Sequence, residues 1–351
     1  MAENQMIVNE NNLMSYVSEL FQKVGMVEAD ADFHARALVD TNLWGVDSHG
    51  VLRAPIYLKR MQSGAVNPNP QIKQMRGSLG IEVLDGDDGP GFLVGRDAML
   101  RAIELADQYN IGAVGAIHSN HFGATAIYTR LAAEHSMLGI AMTNVVPNVV
   151  APGGSKPVIG NNPLSIAVPT FGEFPFVLDI SLSAVAGGKL LLASKKGESI
   201  PLDWATDSDG RPTTDPNEAF AGFLLPLGGH KGLGLSYVVD ILAGVITGGA
   251  FQYDIKSMYQ HPDDPSQTAH FMIVINPRIL MPEEELATRM ESYLQMIKQS
   301  PMWDPEAEMM IPGELEQRKA QERRKTGLPI PAQLLEDLRQ LGRELDVPVT
   351  I

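Results

Sequence analysis

The chain of 351 residues contains no cysteine. That single absence excludes disulfides, thiolate metal sites and thiol nucleophiles together. Positive charge is also short, with 27 lysines and arginines against 42 aspartates and glutamates and a formal net charge of −15 at pH 7. Binding a phosphate backbone needs a surface of the opposite sign, so the charge argues against a nucleic-acid partner. The one basic cluster, QRKAQERRK from Gln317 to Lys325, is interleaved with Glu322 and reads as the solvated face of a helix. No apolar run is long enough to span a bilayer, and the opening MAENQMIVNENN lacks both the basic end and the apolar stretch of a signal peptide. The expectation is a cytoplasmic protein without a membrane partner.

What is present is a globular composition: 44% hydrophobic and 20% charged residues, enough to bury a sizeable core in one large domain or two modest ones. In NLMSYVSELFQKVGM, residues Leu13, Tyr16, Val17, Leu20, Phe21 and Val24 share a helical stripe, with Asn11 or Asn12 as its cap. A second helix is expected from about Ala29 to Trp44. A third is expected from an N-cap at Ser48 toward Met61, with Pro55 kinking or shortening it and NPNP at Asn67 to Pro70 stopping it.

Beyond Pro70 the pattern changes. Strands read at IEVLD, GAVGAIH, GIAMTN, PLSIAVP, FPFVLDI and HFMIVINP, between helices near Phe92 to Gln108, Ala124 to His135 and within SAVAGGKLLLASKK. The most apolar stretch, LGLSYVVDILAGVITGGAF, reads as a helix buried in the core, and three further helices close the chain. The result is a mixed α/β middle between helical ends, in an order that leaves the sheet's direction open.

Three stretches hold candidate chemistry. DSHGVLRAPIYLKRM, from Asp47 to Met61, places His49, Arg53 and Tyr57 four residues apart, hence on one helix face. An arginine fork near a helix N-terminus suits a carboxylate, and the bland alternative is a solvated polar face. Ser48 either orients His49 or caps the helix. AIHSNHFGATAIY ends a strand in a polar loop where His121 could act as acid or base. Its His118 and His121 have a metal-like spacing, but no third ligand lies nearby, so a metal-dependent hydrolase stands only as a rival reading. LPLGGHKGLGLS looks like a phosphate loop and fails its pattern, because Gly232 follows Lys231. The dinucleotide pattern G-x-G-x-x-G fails as well, with Tyr237 at its last position. A glycine-rich turn that lets backbone N–H groups and Lys231 approach an anion survives.

Taken together, DSHGVLR, SNHFGATAIY, PGGSKPVIGNNPLSIAVP, LDISLSAVAGGK, TDSDGRPTTDP, LLPLGGHKGLGLSYVVDILAG and IPGELE resemble, in this order and over nearly the whole chain, the malate/L-lactate dehydrogenase family of the non-Rossmann type. The resemblance implies an α+β fold with a mostly antiparallel sheet in a non-Rossmann nucleotide-binding domain (76–312). It adds a helical domain built from both chain ends (1–75 joined by 313–351). It implies an oxidoreductase that uses NAD or NADP to move a hydride between nicotinamide and a small 2-hydroxy or 2-oxo acid, and a homodimer. A cyclic-imine reductase of the same family is the alternative.

Carried over by position, the resemblance puts His121 as acid/base, with Ser48 and His49 as the second candidate pair. It puts Arg53 on the substrate carboxylate with Tyr57 beside it. The cofactor falls to Phe122, Gly123, Ala124, Val145, Asn161, Asp179, Ile180, Ser181, Lys231, Pro312, Gly313 and Glu314, with no metal. Asn161 stands where the family reads threonine, Ser181 and Leu182 depart from its pattern after the acidic residue, and Gly187 replaces a frequent arginine.

Overall fold

The computed structural model describes residues 5–351, so the first four residues of the expected helical unit lie outside the description. The chain opens with strand β1 (Gln5–Val8) and helices α1 (Glu10–Lys23) and α2 (Glu28–Leu43). Two 3-10 turns, Asp47–His49 and Val51–Arg53, lead into α3 (Ala54–Gln62). Then come β2 (Lys73–Ser78), β3 (Ile81–Asp85), α4 (Gly91–Tyr109), β4 (Ile111–Ser119), α5 (Ala126–Glu134) and β5 (Leu138–Thr143). The short strands β6 (Val149–Val150) and β7 (Pro157–Ile159) precede β8 (Leu164–Val168), β9 (Phe176–Ile180) and α6 (Gly187–Lys196). The chain continues through β10 (Ala205–Thr206), α7 (Pro216–Ala221), β11 (Phe223–Leu224), α8 (His230–Asp240) and β12 (Thr268–Ile275). It closes with α9 (Glu283–Lys298), α10 (Glu314–Thr326), β13 (Leu328–Pro331) and α11 (Ala332–Glu344).

Seven strands form the main sheet in the order β2-β3-β4-β12-β5-β8-β9. Only β3 and β4, joined through α4, run parallel; every other pair in it is antiparallel. Its period-two alternation shows in β12, where Met272 and Val274 enter the core under α4 and α5 while Ala269 and Phe271 pack on the opposite face with Val239 and Ala243. The two chain ends meet. β1 pairs with β13, and the Tyr16 hydroxyl donates to the Leu338 carbonyl at 3.1 Å.

Several local expectations need correction. The cap of α1 is Asn9, whose side-chain oxygen accepts from the Asn11 and Asn12 amides at 2.9 and 3.2 Å from an extended backbone. Ser48 caps no helix; it lies in a 3-10 turn, and α3 starts only at Ala54. Pro55 is the second residue of that helix and does not kink it, because its missing N–H falls in the first turn, where no intrahelical acceptor exists. The apolar stretch expected as a buried helix is α8 followed by a π-helical turn, Ile241–Val245. Leu233, Ser236, Val239 and Asp240 face inward, but Leu235, Val238, Ile241, Val245 and Ile246 lie on the surface of the single chain, Ile246 at 58% exposure. A run that is apolar all round has two faces to cover, and one chain covers only one. The α10 cluster is not simply solvated: Arg323 turns inward to Asp47 at 2.7 and 3.0 Å and to the Asn42 carbonyl. Among the described residues no helix is long and apolar enough to cross a membrane.

Candidate active site

The segment after α2 is shaped by one buried amide. Asn42 Oδ1 accepts from the Val51 amide at 2.8 Å, and its Nδ2 donates to Asp47 at 2.7 Å. A Cβ at Gly50 would overlap that amide, so the turn between the two 3-10 segments needs glycine. This bend, and not a single helix face, delivers Ser48, His49, Arg53 and Tyr57 to one place.

His121 arrives from the other side, in the loop after β4. The Tyr57 hydroxyl lies 2.6 Å from His121 Nδ1, and the rings of His49 and His121 stack with centroids 5.6 Å apart. Ser48 Oγ is 2.9 Å from His49 Nδ1. Arg53 Nε donates to the Ser48 carbonyl at 2.7 Å, and its Nη1 donates to the Tyr259 hydroxyl. The five residues expected at the substrate therefore meet.

Burial, reinforced by the Arg53 charge, lowers the His49 pKa to about 4. Burial, then His49 and Arg53, pushes that of His121 well below the usual histidine value. Burial raises the Tyr57 pKa against the pull of Arg53 and Arg60, so its hydroxyl keeps its proton. At neutral pH both imidazoles are therefore neutral, each with one ring nitrogen bare.

Four residues of this site were not legible in the sequence. Buried His270 bridges Ser119 and Thr143 hydroxyls at 2.7 and 2.8 Å and stacks flat on Phe122, 4.4 Å away. Asn120 fixes the loop through the Asp88 and Gly89 carbonyls and the Ser266 amide. Arg60, fully buried, donates to the Pro262 and Asp264 carbonyls and so holds the loop that carries Tyr259. The only sequence hint was that Arg60 follows Tyr57 by three residues, on the same side of α3.

The candidate cofactor residues gather along β9 and its continuation. Asp179 accepts from the Ala126 amide at 3.0 Å, tying β9 to the helix that follows His121, Gly123 and Ala124. Asp179 is exposed in the single chain, and the protein packed around it pushes its carboxyl pKa up against that amide and Arg130. Asn161 Nδ2 donates to Ser181 Oγ at 3.0 Å, and the Leu227 amide donates to the Leu182 carbonyl, which brings the glycine turn before Lys231 alongside. Val145, whose amide donates to Asn162 Oδ1, sits at the end of β5, and Ile180 ends β9 opposite Leu164. The Pro312 carbonyl accepts from the Val177 amide at 3.0 Å, and Gly313, at φ +93°, lies against Pro175 and Val177.

Two candidates do not offer their side chains. The Phe122 ring is buried between Tyr128 and His270, and its carbonyl accepts from the Tyr128 hydroxyl, so the residue is 1% exposed as a whole. The Glu314 carboxylate is held by Lys298 at 2.8 Å, by Arg318 and by the Ile311 amide, and it shapes its own turn. His118 stands apart from His121, with Nδ1 2.9 Å from Asp85.

The residues fit an anionic dinucleotide. Gly228 and Gly229, at φ +57° and +66°, have open space where a Cβ would stand, directly before exposed Lys231 in the first turn of α8; Gly187 and Gly188 open the first turn of α6 in the same way. The paired histidines and the Arg53 fork form a separate polar cluster suited to a small anion.

The family profile described as Malate/L-lactate dehydrogenase matches residues 8–339. Malate dehydrogenase of Pyrococcus abyssi is 38% identical, over 98% of this chain and 96% of its own length. The (2R)-3-sulfolactate dehydrogenase (NADP(+)) of Chromohalobacter salexigens is also 38% identical, over 73% of this chain and 77% of its own. The solved sulfolactate dehydrogenase of Methanocaldococcus jannaschii superposes with a TM-score of 0.92 at 36% identity, over 97% of this chain and 98% of that one. The chain belongs to the malate/L-lactate dehydrogenase family.

Proposed function

We propose that this protein is an NAD(P)-dependent dehydrogenase of a small 2-hydroxy acid, with malate and sulfolactate, named in its relatives, as the first substrates to test. The observation that carries the reading is the His121–Tyr57 pair beside the Arg53 guanidinium. With Nε on the Ser48 carbonyl and one N–H of Nη1 on the Tyr259 hydroxyl, Nη2 and the second N–H of Nη1 remain to hold a carboxylate. Tyr57 occupies His121 Nδ1, so Nε2 is the atom left to take the hydroxyl proton, and in reverse to return it to the ketone oxygen. His49, held by Ser48, stands as the second candidate for that role. The two stacked imidazoles are close enough that a charge on one opposes a charge on the other, so the pair takes up one proton beyond its two neutral rings.

Nicotinamide, when bound, supplies the site for the hydride. Asp179, Ile180, Ser181, Asn161, Val145, Lys231 and the Pro312–Gly313 turn would hold the dinucleotide, without a Rossmann glycine motif, with the backbone of Gly123 and Ala124 beside it. NADP comes first for testing because one relative is named for it. The helical ends (1–75 and 313–351) form one unit and 76–312 the nucleotide-binding unit in this reading, and a second copy of the chain completes the molecule.

The test is the absorbance of NADPH and NADH with 2-oxo acids. Oxidation that falls at least about a hundredfold in both His121→Ala and Arg53→Ala is expected, the scale of losing a positioned acid or a charged anchor. No oxidation with any 2-oxo acid, or variants as active as the parent, would overturn the reading.

A further inference from the structure

His34 is a buried polar group that the chemistry above leaves unused. It lies on the inner face of α2 at 1% exposure, its ring stacked between Phe21 at 4.3 Å and Phe92 at 4.2 Å. Neither ring nitrogen has a hydrogen-bond partner in the protein. An unmatched buried polar group costs about 1 to 3 kcal/mol. A phenylalanine would fill the same slot without that cost. The missing partner has a place to be: His34 lines a cavity with about 10 Å³ open to the centre of a water molecule, together with Tyr57, Arg60, Asn120 and His121. That is room for a single water among polar groups. One wall of the cavity is thus the orphaned imidazole, and another is the tyrosine that touches His121.

We propose that one water in this cavity hydrogen-bonds both His34 and the Tyr57 hydroxyl, and that His34 thereby acts as a positioning residue for proton transfer at His121. The reason is a count of donors. While His121 carries its proton on Nε2 alone, Tyr57 donates its O–H to the bare Nδ1 at 2.6 Å, with the Gly123 N–H a longer second donor at 3.4 Å. When His121 becomes an imidazolium, both its nitrogens donate. The Tyr57 oxygen must then accept from Nδ1–H, and its own O–H must turn to another acceptor. The water seated on His34 is that acceptor. Only the hydroxyl rotates, and no proton leaves Tyr57. The neutral form with a bare Nε2, the form that takes a substrate proton, has the same requirement. Without the water, each of these forms strands a buried O–H. The other charged or titratable groups facing His121 and His34 are His49, Arg53, Arg60 and His270, none of which replaces that acceptor.

This inference rests on the reading of His121 as the proton carrier, so its test does not depend on turnover. Protein labelled with ¹⁵N-histidine is titrated by NMR without ligand, with His121 assigned through His121→Gln. In folded His34→Phe the proton affinity of His121 is expected to fall about tenfold, the scale of one buried hydrogen bond, and its neutral form to shift toward Nε2–H. His34→Asn, which keeps an acceptor, should stay near the parent. An unchanged titration and tautomer in folded His34→Phe overturns the proposal. So does a high-resolution crystal structure of the parent with a dry cavity, a result that needs no variant to fold; a water bonded to both groups supports it. Absence of dehydrogenase activity in the parent would count against the proposed function and leave this titration to decide the role of His34.

Discussion

At the scale of single residues, the site is held by groups whose polar atoms are matched to one another. Arg53 is gripped from two sides, by the Ser48 carbonyl and the Tyr259 hydroxyl, and the loop bearing Tyr259 is held in turn by buried Arg60. Tyr259→Phe leaves the histidines untouched but frees one side of the guanidinium. The expected result is a KM for the acid raised about fivefold with kcat nearly unchanged, the scale of one hydrogen bond to a charged group; an unchanged KM would remove Tyr259 from the substrate pocket. His270 acts on stability as well as position. Its pKa is lowered to about 3 by burial, while the unfolded chain titrates near the ordinary value of 6.5. The unfolded state therefore binds the proton first, and stability falls as pH drops below about 6.5, by about 2 kcal/mol at pH 5 from this residue. Urea unfolding of His270→Phe at pH 7 and pH 5 should show lower stability at pH 7 and a smaller difference between the two; a difference as large as the parent's would show that His270 is not the titrating group.

At the scale of elements, the stretch from Asp47 to Gln62 shows how far periodicity reaches. The spacing of His49, Arg53 and Tyr57 was legible as a polar cluster, but a continuous helix was the wrong geometry for it. Gly50 breaks the run, Asn42 of α2 ties its two sides, and Arg323 of α10 anchors Asp47 from the far end of the chain. Gly50→Ala would force the Asn42 amide aside. The expected loss is about 2 kcal/mol or more in thermal or urea unfolding, with a disproportionate fall in kcat/KM because Ser48 and His49 ride on that turn. Full activity in the variant would mean that the turn can re-form around a methyl group. Strands β1 and β13 escaped the sequence reading for a related reason. Each is four residues long and gains its partner only from the opposite end of the chain.

At the scale of the whole molecule, the single chain leaves a broad apolar surface open. The outer side of α8 and its π-helical turn exposes Leu235, Val238, Ile241 and Val245, and α9 has no buried residue while Trp303 beyond it is 95% exposed. Such a surface fits the expected second copy. Analytical ultracentrifugation should give the parent twice the chain mass. Val238→Glu with Ile241→Glu should give the chain mass, since two carboxylates would be buried unpaired in the interface. A parent that sediments at the chain mass would overturn the dimer.

The sequence by itself determined the elements with strong periodicity, the glycine turns, and the residue types of the site: Ser48, His49, Arg53, Tyr57 and His121 can be picked out because their chemistry is written in their side chains. It could not show which of them touch. The 2.6 Å approach of Tyr57 to His121, the bridge that His270 makes between two strands, and the hold of Arg60 on the Tyr259 loop join residues 64, 127 to 151 and about 200 positions apart. Contacts at such separation are fixed by how the sheet and helices pack, and no local pattern records them. The same limit misplaced the α8 stretch, because an apolar helix reads alike whether its second face meets its own core or a surface awaiting a partner.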